Sequence, residues 1–450
     1  MSSSIFHDLL SKYTTWSALS EYLLSEEGGF LRIYDQSKPE NPFALIRYVK
    51  GKSTMTLPHV RAFRSVVWDT LENRPVSVTP FKSMDGESLP STESTAGFTL
   101  ERFLDGVMIG AFYDRYTSQW RIHTRSTLDA TSRYYSQDRT FAQMFDDFKA
   151  ATNFRWEDLD KNSCYTWILQ HPENRVVTPI TKVMATLVQK ASLTDNVLTL
   201  DKSATESLQI QSPMPTWTDV LTRLADWNVR FKHTVQGIVV KEDATGNRWK
   251  VRTSEYNRVR QLRTNTPRRD FLWLSLWRSN GLRDYLTIYP EERLLSNVVI
   301  NKWKRITNDV FHIYTDVFKA RSLDKKKVLP KYRPFVFGIH SLFMENLKPA
   351  GKTVVWKTVL DYMNGRDVAQ MLFAINWDVR QAARLSGAPA IPFEPSTSIG
   401  TEVLTTEPSA NPQVIFRQEV ETDEDMPDLI PIADSMVLLQ ATMPPPGGDV

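Results

Sequence analysis

Cationic side chains recur in this sequence beside aromatic ones, in a pattern suited to holding phosphate. Arg64 and Lys82 flank one apolar stretch, and Arg248, Lys250 and Arg252 alternate along another. Arg258, Arg260, Arg263, Arg268 and Arg269 follow closely, with Trp249 and Tyr256 among them. Arginine and lysine track phosphates and aromatic rings stack on bases, so the cluster suits RNA or another polyanion. Arg248, Arg258, Arg260, Arg263, Arg268 and Arg269 are the candidate RNA contacts; a merely solvated charged surface is the alternative. No metal site is expected. Cys164 is the sole cysteine, so neither an intrachain disulfide nor a cysteine-built zinc site can form. The seven histidines are scattered, and no two stand at a ligand spacing. Cys164 and His171 therefore read as structural.

A second set of residues gains meaning from its order. Leu100 to Asp114 reads LERFLDGVMIGAFYD, and Asp105-Gly106 between two β runs suits a hairpin turn. Upstream stand Arg64-Ser65-Val66-Val67-Trp68-Asp69 and Pro80-Phe81-Lys82. Downstream come Thr124-Arg125-Ser126-Thr127, then Trp167-Ile168 leading to Pro172-Glu173-Asn174-Arg175-Val176-Val177. Gln236-Gly237-Ile238-Val239-Val240 and Trp249-Lys250-Val251-Arg252 close the series.

This order and spacing resemble the RNA ligases of the T-even phage tRNA-repair type, within the covalent nucleotidyltransferase superfamily, over roughly residues 30–265. In that family the series runs Lys-x-Asp-Gly, an aromatic-Glu strand leading to Pro-x-Asn-Arg-x-Val, Glu-Gly-x-Val, then Lys-x-Lys. The resemblance implies an α+β fold: an ATP-grasp-like ligase adenylation domain of antiparallel sheets with helices, followed by an all-α domain. It also implies a chemistry. A lysine amine attacks the α-phosphate of ATP, the lysyl-AMP passes AMP to an RNA 5′-phosphate, and a 3′-hydroxyl displaces it.

Laid on that pattern, this chain departs where the reaction is made. Phe103 occupies the nucleophile position and has no lone pair to offer. Ile168 and Gln236 stand at the carboxylate positions. No catalytic residue is expected, and the chain reads as a pseudoenzyme that binds RNA or nucleotide without lysyl-adenylate chemistry. The cations survive: the resemblance puts Arg64 and Lys82 on the triphosphate and Lys250 and Arg252 on phosphates. Asp105 and Gly106 keep the turn, and Trp167 keeps an aromatic for stacking on a purine. ATP and Mg are the cofactors the family brings, neither required by these residues. Two rivals stand beside this reading. One is an active ATP-dependent RNA ligase whose nucleophile has moved to Lys82, in Lys-Ser-Met-Asp-Gly. The other is a structural or scaffold protein, in a virion for example, with Phe103, Leu104 and Ile168 filling the old pocket.

These residues need elements to position them. Apolar spacing predicts helix through residues 1–30, then β runs at 43–49, 64–69, 76–79, 106–113, 119–124, 166–169 and 237–241, with helices near 140–151 and 216–227. Helical periodicity then dominates, through 298–318, 335–347 and 353–383, around a turn-forming Asn364-Gly365-Arg366-Asp367. The expected domains are 1–265, 266–385 and a Pro- and acid-rich tail, 386–450, predicted to be disordered. Residues 387–450 carry one base against eleven acids, so the net charge of +3 leaves +13 on the rest. A basic body favours a polyanionic partner, and the acidic tail offers a surface for protein partners. No apolar run is long enough for a membrane span and the start is unlike a signal peptide, so the expected location is intracellular: cytoplasm, host cytoplasm or a virion.

Overall fold

The three-dimensional structure, a computed structural model, describes residues 2–386 apart from 36, 91–92, 136–138 and 265. The described residues fall into two compact units that divide between 264 and Thr266. The tail expected from residue 386 lies, beyond its first residue, outside the described residues.

The first unit is α+β, with three sheets. Its first sheet is an antiparallel meander of β1 (Arg32–Asp35), β2 (Phe43–Arg47), β3 (Val66–Asp69) and β4 (Arg74–Val78). β2 and β3 are buried along their whole length, which explains their nearly unbroken apolar runs. Helices α1 (Ile5–Lys12) and α2 (Trp16–Leu24) press Phe6, Leu9, Leu19 and Leu23 into the same core. The Thr15 hydroxyl accepts from Ala18 N and starts α2, so the helical run expected through residue 30 is two helices.

The chain then crosses between sheets. β5 (Phe98–Phe103) belongs to one sheet and β6 (Val107–Asp114) to another, so Asp105-Gly106 joins two sheets and is not the hairpin turn that its sequence suggests. β6 pairs with β7 (Gln119–His123) and β8 (Ser163–Gln170); β9 (Met184–Thr194) and β10 (Val197–Leu200) follow in order, with Ser2–Ser3 at the edge. β9 and β10 were not anticipated. Asp195 and Asn196, both at positive φ (49° and 62°), turn them into a hairpin. Helix α3 (Phe141–Ala151), held by a Thr140–Gln143 capping box, covers this sheet with Phe141, Met144, Phe145 and Phe148.

The third sheet positions the candidate site. β5 pairs with β11 (Gly237–Glu242), which pairs with β12 (Arg248–Arg252); Met84–Asp85 adds a short parallel edge. The register aligns Phe103, Gly237 and Arg252, then Glu101, Val239 and Lys250, then Thr99, Lys241 and Arg248. Directly opposed residues share a face, so one face of the sheet carries these polar and cationic side chains. The alternate positions Phe98, Leu100, Ile238, Val240, Trp249 and Val251 join an apolar cluster with Val220 and Leu224 of α4 (Trp217–Phe231). One short helix, α5 (Ser254–Arg263), follows β12, capped by the Thr253 hydroxyl.

The second unit is helical: α6 (Arg269–Arg278), α7 (Leu282–Ile288), α8 (Arg293–Tyr314), α9 (Arg333–Leu342), α10 (Trp356–Asn364), α11 (Val368–Ile375) and α12 (Trp377–Ser386). α8 runs through its centre, burying Val299, Trp303, Ile306 and Val310 at helical spacing. The buried Glu292 carboxylate accepts from Trp273 Nε1 (2.8 Å) and Tyr285 Oη (2.7 Å). The long periodic run over 353–383 is three helices. Its break falls at Gly365-Arg366, after which Asp367 caps α11 by accepting from Gln370 N at 2.7 Å. No helix among the described residues is long and apolar enough to cross a membrane.

Candidate anion-binding cleft

The cationic face of the third sheet opens onto a cleft of about 1100 Å³, its mouth included. Arg64, Phe103, Asp105, Gly106, Ile168, Arg248, Lys250 and Arg260 all line it, so residues spread over two hundred positions converge on one wall. Arg102 and Arg125 complete a set of six cationic residues, against the carboxylates of Glu101 and Asp105 alone.

Phe103 sits among the cations. Lys250 Nζ lies 5.3 Å from its ring centroid and the Arg252 guanidinium 5.0 Å, both within cation–π range. The register explains this, since Phe103 and Arg252 oppose the same glycine of β11 and Lys250 stands two residues from Arg252 on the same face. A large side chain at residue 237 would intrude here. The Cβ of any other residue would come within 2.0 Å of the Val251 carbonyl oxygen, which requires Gly237.

Asp105 and Gly106 bind one motif to another. The buried Asp105 carboxylate accepts from Val177 N (2.9 Å) and Thr178 N (2.8 Å), at the end of the Pro-Glu-Asn-Arg-Val-Val run. Its backbone oxygen accepts from Gln170 Nε2 at 2.8 Å. Gly106 passes so close to β8 that an added Cβ would lie 2.5 Å from the Leu169 carbonyl oxygen. Pro172–Asn174 forms a single tight turn, with His171 Nδ1 accepting from Glu173 N. The Asp-Gly pair is therefore a staple between β5–β6 and β8.

The second carboxylate is also engaged. Glu101 is paired with Lys241 Nζ at 2.7 Å, within the sheet face and largely buried. Burial lowers the Lys241 pKa and Arg248 adds to that, while Glu101 pulls the other way. Neither Glu101 nor Arg125 was given a role from the sequence, although Arg125 stands in the Thr124-Arg125-Ser126-Thr127 run. Glu101 was findable, because a residue two places from Phe103 on a strand shares its face. Arg125 donates to the Tyr48 carbonyl (3.2 Å) and stacks on the Tyr48 ring (4.5 Å).

Other candidate residues lie elsewhere. Trp167 does not line the cleft: it points opposite to Ile168 and packs with Tyr165, Phe145 and Phe154 in the α3 core, where no purine can stack on it. Lys82 is not part of the lining either; its ammonium lies 5.9 Å from the Tyr48 ring centroid and donates to Ser83 O. Gln236 is buried and outside the lining, its amide without a hydrogen-bond partner among the described residues. The arginine cluster disperses. Arg258 is exposed and paired with Glu255 (2.9 Å), and Arg263 is buried over the Tyr135 ring (4.4 Å). Arg268 and Arg269 belong to the second unit, paired with Asp270 (2.9 Å) and Glu292 (3.7 Å). Within the first unit, Arg258 and Arg263 thus stand apart from Arg248 and Arg260, which line the cleft.

The wall suits phosphate better than a divalent cation. Its two carboxylates are committed to backbone amides and to Lys241, and Ile168 adds only hydrocarbon. Among the described residues, no group of three or more His, Cys, Asp or Glu side chains could share a metal ion.

Searches of the sequence against protein families and curated proteins returned no match. Solved structures with a remote likeness include a protein from Aquifex aeolicus named as an ATP-dependent DNA ligase, 12% identical over 73% of this chain and 80% of that one, TM-score 0.32. An archaeal ATP-dependent RNA ligase is 10% identical over 83% of this chain and 96% of its own, TM-score 0.33.

Proposed function

We propose that this chain is a ligase-like nucleotidyltransferase fold that binds the phosphates of RNA or a nucleotide in the cationic cleft, without forming a lysyl-adenylate. The observation that carries the reading is Phe103. It stands on the cleft wall with Lys250 and Arg252 over its ring, where the resembled family has its nucleophile. An aromatic ring cannot attack phosphorus, whereas the neighbouring cations still favour a polyanion in a recessed, low-dielectric wall. Asp105 works as a staple, and Trp167 as core.

The test has two arms. Incubation with α-labelled ATP and Mg, followed by a denaturing gel, should leave the wild-type protein unlabelled; a Phe103→Lys variant reads whether ATP still enters. Covalent label on the wild type that disappears in Lys82→Ala would restore the rival reading of a displaced nucleophile. Binding of a short oligouridylate should weaken with salt, and Arg248→Gln or Lys250→Gln should each flatten the log–log salt slope by about 0.7 for a single strand. A salt-independent protein with no RNA affinity would favour the scaffold reading.

A further inference from the structure

The cleft and one segment of the same chain are complementary in charge and in apolar flanks. Six cationic residues line the cleft, and its two carboxylates are already engaged. Residues 387–450 carry the opposite excess, eleven acids against Arg417. The acids are concentrated: Glu419, Glu421, Asp423, Glu424, Asp425 and Asp428 fall within ten residues. Apolar runs stand on either side, Val414-Ile415-Phe416 before and Leu429-Ile430-Pro431-Ile432 after. The cleft has matching walls, its cations bordered by Val107, Met108, Val176 and Leu208.

We propose that the acidic run 419–428 docks in the cationic cleft of its own chain, as a built-in competitor for polyanionic ligands. The inference rests on the cleft being an anion site, but not on RNA being the anion. Reach does not limit it. The 32 residues of 387–418 span up to about 110 Å when extended, at roughly 3.4 Å each. Compact bodies of 265 and of about 120 residues, the sizes of the first unit and of the helical unit that carries the tether, have radii of gyration of only about 18 and 14 Å. Tethering then supplies a local concentration on the order of millimolar, so a weak contact in trans suffices for occupancy in cis. A carboxylate-rich segment presents many acceptors to arginine forks, as phosphates do, and excludes other polyanions by the same charge.

The test uses the full chain with the six acids neutralised (Glu→Gln, Asp→Asn) and a fluorescent peptide of residues 414–432. The peptide should bind the neutralised protein at least tenfold more tightly than the wild type, whose own segment competes. That binding should fall at least tenfold in Lys250→Gln and in Arg260→Gln made on the neutralised background, with near-ultraviolet circular dichroism confirming that each variant is folded. Equal peptide affinity for wild type and neutralised protein, or binding insensitive to both cleft substitutions, would overturn the proposal. Oligouridylate binding is measured separately. If neither protein binds RNA, the functional reading fails, while the peptide result still decides this one.

Discussion

Replacing Asp105 tests whether the Asp105-Gly106 pair is a staple or a ligand-binding group. Its carboxylate is 4% exposed and accepts two backbone N–H bonds, at 2.9 Å from Val177 and 2.8 Å from Thr178. A hydrogen bond to a charged group contributes about 1.5–3 kcal/mol, and a buried donor left unmade costs its full desolvation. Both bonds are accepted by the single oxygen Oδ2, so Asp105→Ala removes both together, and a loss of about 3–5 kcal/mol follows. Asp105→Asn presents an amide oxygen at that position, keeping both bonds but not the charge, and should lose roughly half as much. Urea unfolding followed by tryptophan fluorescence reads the sum, as a lower midpoint at unchanged slope. Hydrogen exchange locates it: the Val177 and Thr178 amides should lose protection first, because those are the bonds removed. If Asp105→Ala stays within about 0.5 kcal/mol of wild type, with both amides as protected as before, the staple is wrong and the carboxylate serves something in the cleft.

Burial pushes the His123 imidazole down to about 4, from an ordinary 6.5. Between those values the unfolded chain takes up a proton that the folded chain refuses, so stability should fall by up to about 3 kcal/mol as pH drops through that window. His123→Gln should flatten that part of a melting-temperature profile. Cys164 is buried and its thiol is pushed up to about 11, so a thiol reagent at pH 8 should find no reactive group in the native protein and one in denaturant. Trp167→Ala should cost about 3–5 kcal/mol while leaving ATP and RNA affinity within twofold at a temperature where the variant is folded. A selective loss of nucleotide affinity at full stability would return Trp167 to the site.

Local pattern carried much of this fold, and it failed where partners are remote in sequence. The runs at 43–49 and 66–69 are buried along their length, and an unbroken apolar run announces that. Asp105-Gly106 misled because a turn dipeptide records only the local bend; whether the next strand returns to the same sheet depends on β8 and β11, many residues away. β9 reads MATLVQKASLT, an irregular alternation whose strand character comes from β8 and β10 on either side. The periodic run 353–383 hid two helix boundaries, since helices that pack in one bundle continue the same apolar period across a short turn.

The site follows from register. Phe103, Lys250 and Arg252 meet because strands pair, and pairing places residues 150 positions apart on one face. The same rule excludes Trp167: with Ile168 on the cleft wall, its neighbour on the strand must face away. Arg260 reaches the wall, whereas Arg258 and Arg263 do not, as a helix spreads successive residues around its axis, and Arg268 and Arg269 belong to the second unit. The side chains on the wall decide what it can hold. A cation–π contact with Phe103 contributes about 0.5–2 kcal/mol, whereas withdrawing a guanidinium or ammonium from water costs several. Phe103 therefore cannot by itself offset the cost of recessing the cations beside it. Cationic side chains outnumber carboxylates along this wall, and an anionic occupant fits that excess.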